Sequence, residues 1–239
     1  RDRYLYASTN KDTVLRTQTG DIGSWESITV TNIFSPYFNP PVGATKSMED
    51  KDISLGDYTP QIYCLKYYND LGTPKLFCGT NANGGIYETV DGKNWSLSFN
   101  SMEARVHCME VFKGRLFAGT STEGKIYTYN GTHWTVSLDT SELAIISLGV
   151  FRDYLYAGTY PNGLIFRTSD GINWQKVFDS NQSFVNSFIV FKNKFFASTS
   201  KSTGGIIFSS DDGINWIENF SSEKDVNFYK FVIFSNTLY

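Results

Sequence analysis

The chain has 239 residues, 41% of them hydrophobic and 19% charged, a balance that builds a packed core and excludes a disordered chain. Lys and Arg number 21 against 24 Asp and Glu, a formal net charge of −3, which leaves no general basic field to hold a phosphate backbone. The strongest apolar strings, such as AIISLGVF, stop after about eight residues where a spanning helix needs roughly 20, so neither a membrane span nor a nucleic-acid partner is expected.

The aromatic share of 16%, with 19 Phe and 15 Tyr beside three Met, favours strands and predicts an all-β protein. One motif recurs five times in chain order: YLYASTNKDTVLRT, LFCGTNANGGIYET, LFAGTSTEGKIYTY, LYAGTYPNGLIFRT and FFASTSKSTGGIIFSS. Each copy is followed by a tryptophan, at Trp25, Trp95, Trp134, Trp174 and Trp216, with spacings of 70, 39, 40 and 42. The long first interval is one repeat plus an insertion over about 31–60, rich in Pro and aromatics.

Within each unit we read four strands. Strand A is an apolar run such as 106–112, 145–151 or 185–191, and strand B is LFAGT or its relative. A Gly-bearing loop leads to strand C, and a tight Asp/Asn–Gly turn precedes strand D at the tryptophan. Four short antiparallel strands in about 40 residues are the pattern of a β-propeller blade, so one propeller domain over 1–239 is expected. The A strands align with large residues at Leu65, Met109, Leu148, Phe188 and Phe231, beside a smaller row at Cys64, Cys108, Ser147, Ser187 and Lys230. That alternation suits a wedge-shaped blade; Cys64 and Cys108 belong to its small row and Cys78 to the strand-B position of Ala7, Ala118, Ala157 and Ala197, so all three cysteines read as small buried residues with inert thiols.

The turn before strand D carries a resemblance. SSDDGINW places Ser209, Asp211, Gly213 and Trp216 in the spacing Ser-x-Asp-x-Gly-x-x-Trp, with Asn215 where Thr is usual, and resembles the Asp-box of BNR-type propellers such as sialidases. Asp91 with Trp95 and Asp170 with Trp174 look like versions one residue shorter. Asn130 replaces the acid before Trp134, and Asp21 precedes Trp25. These residues read as structural: the side chain accepts backbone N–H bonds, Gly takes positive φ and Trp packs between sheets. No copy supplies the six or more oxygens of a calcium loop, and neither a metal nor a cofactor is expected.

The chain starts at a strand B, and 226–234 read as a further strand A followed by a strand B at Leu238 and Tyr239. Either that strand completes the first unit and closes a five-bladed ring, or the ring has six or more blades and the sequence is a piece of it. The surplus residues favour the second arrangement.

Chain direction reverses at every turn, so D-to-A and B-to-C loops share one face, opposite the Asp-box turns. Loops on a rigid scaffold are where binding concentrates. The insertion adds Tyr37, Phe38 and Tyr58 to that face, beside Asn81, Arg105, Tyr160 and Asn162. A sialidase-like site, as the resemblance implies it, needs three Arg around a carboxylate, and only Arg105 of the seven Arg lies toward this face. Another glycosidase needs two carboxyls across a sugar, for which Glu103, Asp139, Glu142 and Asp179 in D-to-A loops are the candidates. His107 in strand A and His133 in a turn read as structural. The reading ranked first is a non-enzymatic protein-binding or scaffold propeller, followed by a glycan-binding lectin-like module and then a glycoside hydrolase. Asp-box relatives imply an extracellular, cell-surface or virion-surface setting.

Overall fold

The computed structural model describes the strands at 5–8, 13–17 and 26–29, and residues 61–239 except 71, 82, 223–227, 232, 235, 236 and 239. Asp21, Trp25, Tyr37, Phe38 and Tyr58 lie outside the described residues. Every regular element among the described residues is a β-strand. The first sheet is β1 (Leu5–Ser8), β2 (Thr13–Thr17) and β3 (Glu26–Thr29). The second runs β4 (Ile62–Asp70), β5 (Thr73–Thr80), β6 (Gly85–Thr89) and β7 (Ser96–Asn100), and the third β8 (Arg105–Phe112), β9 (Arg115–Ser121), β10 (Lys125–Tyr129) and β11 (Trp134–Asp139). The fourth comprises β12 (Ala144–Phe151), β13 (Tyr154–Tyr160), β14 (Leu164–Thr168) and β15 (Gln175–Asp179), and the fifth β16 (Phe184–Phe191), β17 (Lys194–Ser200), β18 (Ile206–Ser210) and β19 (Ile217–Ser221). A hairpin of β20 (Ile233–Phe234) and β21 (Thr237–Leu238) follows.

All pairings are antiparallel, and the four complete sheets follow the A–B–C–D order read from the repeat. The third and fourth sheets are also joined by a bridge between Ala144 of β12 and Ser121 at the end of β9. Of the span read as a last strand A, the described strand is Ile233–Phe234. It pairs with β21, and β1 pairs with β2; no pairing of β20 with β1 is present among the described residues.

The A strands β4, β8, β12 and β16 pack side by side in sequence order, and the apolar core lies between successive sheets. Phe77, Ile86 and Tyr68 of the second sheet pack on Val106, Met109 and Leu116 of the third, with Trp134 closing the cluster. Trp174 and Trp216 close the next two interfaces in the same way. Glycine in strand B makes this approach possible: a Cβ at Gly79, Gly119 or Gly158 would lie 2.6 Å from Val106, Ile145 or Val185 of the following A strand. The small row ties the same interfaces. Cys64 Sγ donates to the Val106 carbonyl and Cys108 Sγ to that of Ile145, each at 3.7 Å, and Ser147 Oγ to that of Val185 at 2.7 Å. Burial pushes the Cys64 thiol up to about 12 and raises Cys78 and Cys108 as well.

Three C-to-D turns are identical in geometry. Oδ1 of Asp91, Asp170 and Asp212 accepts the backbone N–H groups two and three residues on at 2.8 Å, and Oδ2 accepts the side-chain amide of Asn94, Asn173 or Asn215 at 2.7 Å. Those backbone donors hold all three carboxyls well below the usual carboxylate range. Thr89, Thr168 and Ser210 each accept the N–H of the turn glycine, whose φ is 71–75°. In the third sheet Asn130 Oδ1 accepts from Thr132 and His133 at 3.1 Å.

The fifth sheet corrects the sequence reading. Its turn acid is Asp212, preceded by Ser210, so all three turns have one length; Asp211 occupies the position of Val90 and Ser169 and pairs instead with Lys194 at 2.9 Å. The reason is reach, since only the carboxylate at 212 lies next to the amides of Ile214 and Asn215.

Candidate functional site

A second repeated device organises the face opposite these turns. Six residues after each of four tryptophans stands a hydroxyl, at Ser101, Thr140, Ser180 and Ser222, which donates to a B-to-C loop glycine carbonyl of its own sheet: Gly84, Gly124, Gly163 and Gly205, at 2.7–3.1 Å. These bonds place the D-to-A and B-to-C loops together, as the strand order implies. Two residues further, Glu103 and Glu142 turn into the following sheet. Glu103 accepts the backbone N–H groups of Thr122 and Glu123, and Glu142 accepts Thr159 Oγ1 at 2.8 Å, Asn162 N at 3.1 Å and Asn162 Nδ2 at 2.8 Å. Both are buried. The D-to-A loops that carry Glu103 and Glu142 are therefore staples between neighbouring sheets, which the sequence reading missed although the fixed offset from tryptophan was visible.

Of the candidate carboxylates, Glu142 and Asp179 reach one open cleft, where Glu142 is already committed to Thr159 and Asn162. Glu103 and Glu142 serve different loops, while Asp139 and Asp179 close β11 and β15 and are exposed. Among the binding candidates, Asn81 Oδ1 accepts the Gln61 N–H at 2.7 Å, and Asn162 is held by Glu142. Tyr160 stacks on Phe184 at 4.2 Å, and the Arg105 guanidinium lies 5.6 Å over the Tyr63 ring. Glu142, Asn162 and Asp179 share an open cleft of about 590 Å³ with Asn181 and Gln182, between the fourth and fifth sheets. Exposed apolar side chains crown two of the stapled loops: Met102 is 81% exposed and Leu143 51%.

A second concavity, of about 360 Å³, lies among the A strands. Each A strand carries a one-residue bulge, at Tyr63, His107, Ile146 and Asn186, and all four bulged residues line this axial cavity. Bulges re-aim a side chain that regular pairing would place elsewhere. His107 Nε2 lies 3.1 Å from Ser121 Oγ, and burial together with Arg105 brings its pKa down to about 4. The imidazole is therefore neutral near pH 7.

No family model matches the chain, and no curated protein matches it. Solved structures do. A chain of a nidogen–laminin complex is similar with a TM-score of 0.62 and 12% identity, over 99% of this chain and 83% of that one. Virginiamycin B lyase from Staphylococcus aureus gives 0.55 and 12%, over 66% and 54%. The computationally designed Ika8 protein gives 0.59 and 14%, over 100% and 64%. At these identities the likeness establishes the β-propeller fold alone. No helix among the described residues is long and apolar enough to cross a membrane.

Proposed function

We propose that the chain is a non-enzymatic binding propeller that takes a protein partner on the face formed by its B-to-C and D-to-A loops. The observation that carries this reading is the exposure of Met102 and Leu143 on loops that buried Glu103 and Glu142 hold in place. Rigid apolar tips lose little entropy on docking, and methionine adapts to varied partner surfaces. The loop tips NANG, STEG, YPNG and SKSTG differ from blade to blade, which suits one asymmetric protein surface better than a repeated ligand. A similar propeller chain occurs in a nidogen–laminin complex, a protein–protein assembly. The turn geometry at Asp91, Asp170 and Asp212 supports kinship with Asp-box propellers, and an extracellular or surface setting belongs to the same proposal.

The test is a quantitative capture comparing the wild-type chain with Met102→Glu and Leu143→Glu. A partner held by the wild type and lost from both variants supports the reading; partners retained equally by all three overturn it. The glycan-binding alternative has one observation in its favour, the polar cleft of Asn162, Asp179, Asn181 and Gln182. A glycan-array signal removed by Asp179→Ala but not by Met102→Glu would select it. The hydrolase alternative has less support: Glu142 and Asp179 share that cleft, but Glu142 is already committed to Thr159 and Asn162.

A further inference from the structure

The ladder of hydrogen bonds between A strands is broken at one place. In the second, third and fourth sheets the small-row residue donates to the next A strand's carbonyl, as Cys64, Cys108 and Ser147 do. In the fifth, Asn186 Nδ2 takes the corresponding carbonyl, that of Phe228, at 2.8 Å, and also donates to Ser200 Oγ at 2.9 Å. The Ser187 hydroxyl is left without a partner among the described residues. The same row continues to Lys230, an ammonium where the other strands carry Cys or Ser, and it too has no acidic partner among the described residues. Ser187 and Lys230 both line the axial cavity, whose lining contains no Asp or Glu. The ammonium's field reaches across it, lowering the otherwise raised pKa values of Cys64 and Cys108.

We propose that this axial cavity is a binding site for a small organic monocarboxylate, with the Lys230 ammonium and the Ser187 hydroxyl donating to its two oxygens and Leu148 and Phe188 receiving its apolar body. One cation matches one negative charge, and a charge-assisted bond to carboxylate is among the stronger polar contacts. A cavity of about 360 Å³ is of the size that holds small ligands. Asn186 is a positioning residue here: by occupying the Phe228 carbonyl it frees the serine hydroxyl. A phosphate dianion would bring more charge and more acceptors than these two donors satisfy.

The experiment is a calorimetric titration of the full chain with benzoate, its neutral isostere benzamide, and inorganic phosphate. Benzoate is expected to saturate one site and to bind at least about tenfold more tightly than the other two. Lys230→Met is expected to abolish saturable benzoate binding and Ser187→Ala to weaken it about fivefold, with the circular dichroism spectrum unchanged in both. Ser187→Ala removes a single atom, so it keeps the test independent of any effect of Lys230 on folding. The proposal is overturned if benzoate does not saturate the wild type, if benzamide or phosphate binds as well, or if Lys230→Met leaves benzoate binding intact.

Discussion

Ser137 Oγ accepts the indole N–H of Trp174 at 3.0 Å, across the boundary between the third and fourth sheets, and donates to the Gly171 carbonyl at 2.7 Å. Ser98 receives Trp134 in the same way at 3.2 Å. At the next boundary the equivalent position is Val177, and the buried Trp216 Nε1 has no partner among the described residues. Ser137→Ala strands a donor and an acceptor and is expected to cost about 1–3 kcal/mol. Val177→Thr keeps the side-chain shape and offers Trp216 a hydroxyl, with an expected gain of about 1 kcal/mol. Chemical denaturation of both variants checks the pair; a destabilised Val177→Thr would mean that the hydroxyl does not reach the indole.

The turn aspartates set an acid limit on the fold. Their folded pKa values lie below the unfolded value of about 3.9, so their contribution is complete above that pH and is lost as pH falls below it. Asp91 is exposed and Asp170 and Asp212 are partly so, which screens the effect. Asn130 shows that an amide oxygen can hold the same turn. The triple variant Asp91→Asn, Asp170→Asn, Asp212→Asn is therefore expected to fold and to show a smaller decline in Tm than the wild type between about pH 4 and pH 2. Equal declines would show that the turns do not carry the acid sensitivity.

The sheets were legible in the sequence because tryptophan spacing and the LFAGT strings repeat locally, within about 40 residues. The Asp211 error came from a doubled acid that offers two registers, each with a serine two residues earlier, and only the glycine directly after the acid, as at Gly92 and Gly171, selects Asp212. The roles of Glu103 and Glu142 were not legible, because their partners Glu123 and Asn162 lie 20 residues downstream in another loop. A loop carboxylate in water and one filling a neighbouring loop have the same sequence. The axial cavity was hidden for a different reason: a bulge at His107 or Asn186 is a property of strand pairing, and pairing register is not written in either strand alone.

His107 gives a second, separate pH window. Burial and then Arg105 lower its pKa from 6.5 to about 4, so the unfolded chain binds the proton more readily than the folded one. Stability present above about pH 6.5 is expected to decline as pH falls through that range toward 4. Tyr63 packs edge-on against the ring at 5.7 Å, Ser121 bonds its Nε2, and Lys230 lines the same cavity, so no acid among the described residues there offsets the added charge. His107→Gln is expected to flatten the stability profile between about pH 6.5 and pH 4 while leaving the decline below pH 4 to the aspartates. Denaturant midpoints measured at half-unit pH intervals separate the two windows; an unchanged slope above pH 4 in His107→Gln would assign that window to other groups.

Glu142 distinguishes a structural carboxylate from a chemical one. Removing it by Glu142→Ala leaves the fully buried Thr159 Oγ1 and the Asn162 N–H without their acceptor, with an expected loss of about 1–3 kcal/mol. Glu142→Gln retains one oxygen for those two donors and places an amide against Asn162 Nδ2, a clash that a half-turn of the Asn162 side chain relieves by presenting its own oxygen. The glutamine variant is therefore expected to keep most of the stability that alanine loses, because neutralising the charge matters less than keeping an acceptor in place. Thermal melts of the two variants read this directly. Glutamine as damaging as alanine would indicate that the negative charge itself is required at that loop, and would restore Glu142 as a candidate for chemistry.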